Sequence, residues 1–240
     1  MKRKILCQGH YGGKREKVRQ PVTGMTGEKG QRKLMGKTET IDVVMFDFGG
    51  VLAEEGWKNG FTAIARAQGL DGDWLVEAAA DTAYETGYLT GVGSEKKFWR
   101  VLKRKTGISG DEAALRQEIF SRFVVRDWMI DYVKRLRGCN LIVGILSDQI
   151  DMLDELNAAY DFFKFFDYVF NSYHIGKGKR DASLFDDIAA RIKRPAERIV
   201  FVDDHPGHVE RARQKGWKAV HYRDAGSFFR EMDQWTAHCS

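Results

Sequence analysis

Val43-Val44-Met45-Phe46-Asp47-Phe48-Gly49-Gly50-Val51-Leu52 is the stretch on which the reading of this chain turns. Four apolar residues in a row, two of them valines, read as a short strand buried on both faces. The strand runs into one carboxylate and two glycines. A carboxylate where a buried strand emerges costs free energy unless a cation, a hydrogen-bond donor or a ligand meets it. Paired glycines let the backbone turn sharply and come close to a ligand. Ligands of open α/β sheets bind at the carboxyl ends of the strands, which marks Asp47 for chemistry. Taken alone, the stretch also fits a strand-to-loop turn in which Asp47 caps a helix.

Downstream of residue 138 the chain alternates between strand and helix patterns. Leu141 to Leu146 reads as a second buried strand, ending at Ser147-Asp148. Asp167 to Phe170 reads as a third, before Asn171-Ser172. Ile199 to Val202 is a fourth, ending at Asp203-Asp204, and Trp217 to Tyr222 a fifth. Asp181 is placed to cap a helix through Leu184, Ile188 and Ile192. Pro206 suits the first position of another helix, which stops at Gly216. A C-terminal helix carries Phe228, Phe229 and Met232. Repeated βα units predict a doubly wound parallel sheet, Rossmann-like, covered on both faces.

Residues 57–137 break the alternation. Trp57 to Gln68 and Trp74 to Tyr84 are amphipathic and end at Gly69 and Gly87. Ser94 is placed to cap a helix holding Phe98, Trp99 and Leu102. Ser109-Gly110-Asp111-Glu112 reads as a capping box, and Asp127 as the cap of a further helix that Gly138 stops. Helices in series with no strand between them predict an α-helical insertion. The expected organisation is an α/β core over 41–56 and 138–240, an inserted helical cap over 57–137, and a basic leader over 1–40.

At 240 residues the chain can bury one full core with a modest insertion. No apolar run approaches the ~20 residues that a membrane helix needs, and no apolar signal core opens the chain. Cys7, Cys139 and Cys239 are widely spaced and odd in number, which suits free thiols in a reducing, cytoplasmic setting. The net charge of +5 is unevenly held: residues 1–40 carry 11 Lys/Arg against 3 Asp/Glu, and the rest 28 against 31. The body therefore has no nucleic-acid footprint. The leader's composition cannot support a packed core, and it is expected to be disordered. Gly30 to Thr38 imitates a phosphate-binding P-loop. It has five residues between its glycines instead of four and precedes a strand instead of following one, so that reading fails.

Three strands thus end in polar groups, Asp47, Ser147 and Asp203/Asp204, while the loop after the third strand offers Lys177, Lys179 and Arg180. Carboxylates, a hydroxyl and a cation at one sheet edge suit a hard cation such as Mg²⁺ together with a phosphoryl group. A carboxylate can also act as the nucleophile. Here the sequence resembles the haloacid dehalogenase superfamily of phosphohydrolases over residues 41–235. Phe46 to Leu52 is similar to its first motif, Leu146-Ser147-Asp148 to the second, Ser172 to Asp181 to the third, and Val200 to Asp204 to the fourth. The helical block stands where that family carries its C1 cap. The resemblance implies that Asp47 is the nucleophile. It also implies that Asp47, the Gly49 carbonyl and Asp204 hold Mg²⁺, that Ser147 and Lys179 hold the phosphoryl oxygens, and that Asp203 assists from behind.

The pattern departs from the family in four places. Gly49 stands where many of its phosphatases have a second Asp, the general acid and base. Arg180 replaces a common proline, and Asp148 and His208 replace common asparagines. The first reading is a Mg²⁺-dependent phosphatase of a small phosphorylated metabolite, with weak leaving-group protonation and a preference for acidic leaving groups. A 2-haloacid dehalogenase, which uses no metal, is the alternative, although Asp203 and Asp204 beside Asp47 would repel one another without a cation. A binding or regulatory module on the same fold is a third. His205 and His208 also sit near the aspartates, but a zinc site is not expected there.

Overall fold

The structure, a computed structural model, describes residues 40–239. All but the last residue of the basic leader, and the whole P-loop-like stretch, lie outside the described residues. Five strands form one sheet: β1 (Val43–Phe46), β2 (Ile142–Ser147), β3 (Tyr168–Asn171), β4 (Ile199–Asp203) and β5 (Lys218–His221). All neighbours are parallel, in the order β3-β2-β1-β4-β5. β1 starts the chain's alternation yet sits in the middle, because its neighbours come from opposite directions of the doubly wound path.

Four-residue β1 is buried throughout, and its side chains alternate between two cores. Val44 and Phe46 face one layer, with α5 (Asp127–Gly138), α6 (Met152–Tyr160) and α10 (Ala225–Thr236). Val43 and Met45 face the other, with α8 (Ser183–Ile192) and α9 (Pro206–Gln214). The two-residue period of a strand makes this division obligatory once both faces are covered. A short α7 (Ser172–Ile175) follows β3 directly.

Between β1 and β2 the chain forms α1 (Gly56–Ala67), α2 (Gly72–Thr86), α3 (Glu95–Thr106) and α4 (Glu112–Phe120) before α5. Asp71 and Ser94 cap α2 and α3 through their side chains, and Gly87 and Gly107 end these helices in the left-handed conformation. The block is held by aromatic packing among Trp57, Phe61, Phe98 and Trp99.

α5, the last helix of the stretch 57–137, packs on the core that covers the sheet, and two helix caps differ from those expected. Trp128 and Tyr132 of α5 pack on Phe228 and Phe229 of α10, and Met129 and Val133 are buried in the core that covers the sheet. α5 shares the amphipathic pattern of the helices before it, and that pattern does not reveal which apolar surface the helix meets. α4 is capped by Asp111, because Ser109 bonds instead with Gln68. α5 has no side-chain cap. Cys139 and Cys239, a hundred residues apart in sequence, are brought into side-chain contact as free thiols. No helix among the described residues is long and apolar enough to cross a membrane.

α1 and α4 cross at Gly60, where an added Cβ would fall 2.6 Å from the Ile119 backbone. Overpacking of this kind costs about 1–3 kcal/mol and exceeds the ~1 kcal/mol that alanine gains over glycine in a helix. Gly60→Ala should therefore lower the melting temperature. Gly138→Ala, at the end of α5 with open space around it, should leave it unchanged or raise it. Thermal denaturation of both variants checks the pair, which must move apart.

Candidate active site at the carboxyl edge of the sheet

Strand order brings the site together. Because β1 lies between β2 and β4, the residues at the ends of these strands become neighbours. The Asp47 amide continues the ladder by donating to the Val202 carbonyl at 2.8 Å. Asp47 Oδ1 accepts from Ser147 Oγ at 2.7 Å and from the Phe48 amide at 2.7 Å. Lys179 Nζ lies 2.8 Å from Asp47 Oδ2 and 2.5 Å from Asp203 Oδ2. Asp203 is fixed further by the His205 amide at 2.7 Å and by His208 Nδ1 at 3.3 Å.

Lys179 and Asp203 are both 0% exposed and Asp47 is 8% exposed, so these charges interact with little water between them. For Asp203, burial pulls its pKa up, but Lys179 and His208 overcome this and hold the carboxyl below its usual range. Lys179 is driven down by burial and raised more strongly by Asp203 and Asp47, so it stays charged. Asp47 is pushed well above the usual carboxylate range, by burial first and then by the charges of Asp203 and Asp204, against the pull of Lys179. Asp204 also rises, through burial and Asp203. One ammonium thus faces three carboxylates. Oxygens of Asp47, Asp203 and Asp204 lie within 4.8 Å of one another. A hard, all-oxygen donor set with excess negative charge fits Mg²⁺.

The loops are shaped around this cluster. Gly50 has φ +76°, and a Cβ there would fall 2.3 Å from Asp204 Oδ2, so the carboxylate rests against bare backbone. Arg126 clamps the same loop through the Gly50 and Val51 carbonyls at 2.6 and 2.9 Å. Asp148 receives the Lys179 amide on both oxygens, at 2.8 and 3.0 Å, which fixes the loop that delivers Lys179. The Tyr84 hydroxyl of α2 donates to the same carboxylate, and Arg180 stacks over the Tyr84 ring at 4.2 Å. Lys177 points elsewhere, to Asp187 and Ser183. A cavity of about 600 Å³ opens above the cluster and includes Asp47, Gly49, Ser147, Lys179 and Asp204 in its lining. Its outer wall comes from the helical block and includes Trp57, Val76, Ala80, Ala83 and Leu89.

A family profile described as a haloacid dehalogenase-like hydrolase matches residues 41–214. This chain belongs to the haloacid dehalogenase-like hydrolases. Among solved structures it is similar to a HAD family enzyme of Bacteroides thetaiotaomicron, with a TM-score of 0.63 at 18% identity, covering 80% of this chain and 99% of that one. That enzyme has also been solved in complex with magnesium and inorganic phosphate, with a TM-score of 0.56 at 19% identity, covering 79% of this chain and 100% of that one. The L-2-haloacid dehalogenase of Xanthobacter autotrophicus, with chloropropionic acid covalently bound, matches with a TM-score of 0.55 at 20% identity, covering 80% of this chain and 82% of that one. These likenesses concern the fold. Drimenol cyclase drtB of Aspergillus calidoustus is 33% identical over 154 residues, 62% of this chain and 28% of that protein. The chain therefore spans under a third of the length of that curated relative.

In this haloacid dehalogenase-like hydrolase, Asp47, Ser147, Lys179, Asp203 and Asp204 converge at one edge of the sheet, and Gly49 lines the same cavity. Two residues of the site were not singled out from the sequence. Tyr84 sits in an amphipathic helix and carries no mark of its contact with Asp148. Glu55 reads as an ordinary acidic residue before α1, and only its position beside Gly49 sets it apart. Burial pushes the Glu55 carboxyl up to about 7; the Lys58 amide opposes the rise and Asp204 adds to it.

Removing one partner of a buried ion pair costs about 3–5 kcal/mol, since the other charge stays buried and uncompensated. Lys179→Met should accordingly destabilise the fold by about that amount. Lys177→Met, at a largely exposed pair, should barely shift the transition. Urea denaturation of both variants makes the comparison. Equal midpoints would show that Lys179 does not hold the cluster together.

Proposed function

We propose that this chain is a Mg²⁺-dependent phosphohydrolase that cleaves a small phosphorylated molecule through an aspartyl-phosphate on Asp47. The observation that carries the reading is the cluster of three carboxylates around one buried lysine at the floor of the cavity. A metal-free dehalogenase would leave Asp203 and Asp204 crowding Asp47 with one ammonium to neutralise all three. A divalent cation balances that charge.

Asp47 and Asp204, with the Gly49 carbonyl, are the groups that would hold Mg²⁺. When bound, the ion screens the phosphoryl oxygens from the carboxylates and draws charge from them. The remaining roles belong to the chain. Asp47 Oδ2 is the attacking oxygen. Lys179 moves its charge between Asp47 and the transferred phosphoryl oxygens as negative charge builds there. Ser147, now donating to Asp47, is placed to donate to a phosphoryl oxygen instead. Asp203 keeps Lys179 charged and in place. The helical block encloses the rest of the substrate, and its alanines and Leu89 favour an alcohol part with an apolar body. The drimenol cyclase shares identity with part of this chain, and its name alone assigns no substrate here.

Phosphate release from p-nitrophenyl phosphate should require Mg²⁺, stop in EDTA and return on readdition. Asp47→Asn should abolish it while the protein stays folded, since Asp203 still meets the Lys179 charge. Ligand linkage raises stability by about 2.7 kcal/mol at a hundredfold excess over Kd, so Mg²⁺ should raise the melting temperature of the parent and not of Asp204→Asn. Full turnover in metal-free buffer would overturn the Mg²⁺ dependence, and chloride release from 2-chloropropionate without phosphatase activity would replace this reading with the dehalogenase one.

A further inference from the structure

Position 49 has no side chain, and the Glu55 carboxyl lies close to where one would begin. A Cβ built on Gly49 would lie 3.0 Å from Glu55 Oε2 and 3.5 Å from the Phe123 ring. Glu55 is the N-cap residue of α1, and its Oε1 accepts from the Lys58 amide at 3.0 Å. That bond anchors the carboxyl by one oxygen and leaves the other turned toward Gly49. The ring of Phe123 also presses on Gly56, where an added Cβ would fall 2.3 Å away, so the segment is backed by an aromatic wall. Glu55 lines the cavity with Asp47 and Asp204.

We propose that Glu55 is the acid–base residue of this site, supplying from the start of α1 the carboxyl that position 49 lacks. The proposal rests on the phosphohydrolase reading. Asp47 Oδ2 forms a bond to phosphorus while the bond from phosphorus to the alcohol oxygen breaks. The Glu55 proton passes to that oxygen, and the alcohol departs neutral. Water then attacks the phosphorus of the aspartyl-phosphate and gives a proton to the Glu55 carboxylate. The bond from phosphorus to Asp47 breaks, phosphate leaves, and both carboxyl groups are restored. One ester and one water become one alcohol and one phosphate.

The consequence reverses an expectation drawn from Gly49 alone. Alkyl esters, whose alkoxides leave poorly without a proton, are then competent substrates. A side chain at position 49 would meet the Glu55 carboxyl at once, at 3.0 Å from its Cβ, so that carboxyl occupies the place beside position 49.

The test is kcat/KM at saturating Mg²⁺ for alkyl and aryl phosphate monoesters of graded leaving-group pKa, in the parent and in Glu55→Gln. Glutamine keeps an oxygen for the Lys58 amide but delivers no acidic proton. General acid catalysis is worth about 10²–10⁴-fold, so Glu55→Gln should lose that much on alkyl esters and little on p-nitrophenyl phosphate. Its Mg²⁺ activation constant should match the parent's. If Glu55→Gln does not fold, Glu55→Asn, also a favoured cap residue, should give the same selective loss. Equal loss on all esters, an unchanged dependence on leaving group, or a raised Mg²⁺ requirement would overturn the assignment while the phosphohydrolase reading stands. If the parent cleaves no phosphomonoester with Mg²⁺, that reading falls, and this one with it.

Discussion

The buried ammonium of Lys179 is the constraint on which the site depends. A fully enclosed lysine charge is tolerated only if carboxylates meet it at close range. Asp203 and Asp47 do so from the ends of two adjacent strands. Each of those carboxylates is in turn costly to bury without the lysine. The three groups are therefore mutually dependent, and the loop that carries Lys179 must return to the sheet edge for any of them to be stable. Asp148 secures that return by binding the Lys179 backbone, and Tyr84 carries the same contact into the helical block.

The cluster is balanced for its own framework and not for its surroundings. Lys179 satisfies Asp203 fully and Asp47 in part, which leaves Asp204 and the remainder of Asp47's charge unopposed. Such a residue of negative charge is a poor arrangement for stability alone. It suits the proposed function, in which a divalent cation and then an anionic phosphoryl group would arrive, each compensating the one before it.

The helical block is tied to the core by more than chain connectivity. Arg116 of α4 reaches Asp151 and Glu155 at 3.2 and 2.7 Å, next to the Tyr88 hydroxyl, which itself donates to Asp151 at 2.6 Å. Together with the contact between Tyr84 and Asp148, these bonds seat the block over the mouth of the sheet. The cavity walls therefore come from residues far apart in sequence: Trp57 and Val76 from the block, Ser147 and Lys179 from the core.

By itself the sequence determined the fold class and most of the charged cluster. Buried strands such as Val43–Phe46 and Ile199–Asp203 announce themselves through continuous apolar runs, and each ends in a polar group whose type and order are readable along the chain. Gly87 and Pro206 mark helix boundaries for local steric reasons, which act within a few residues. Only the tertiary structure decided which surfaces meet. α5 carries the same amphipathic pattern as α1–α4 but covers the sheet, Ser109 bonds with Gln68 and leaves the cap of α4 to Asp111, and Cys139 comes to rest against Cys239. Glu55 shows the limit most sharply. Its local sequence describes an ordinary acidic residue before a helix, whereas its environment comes from Gly49, Phe123 and Asp204, groups that the folded chain gathers around it. Periodicity and capping are short-range properties of the backbone, while the environment of a side chain is set by whatever packs against it.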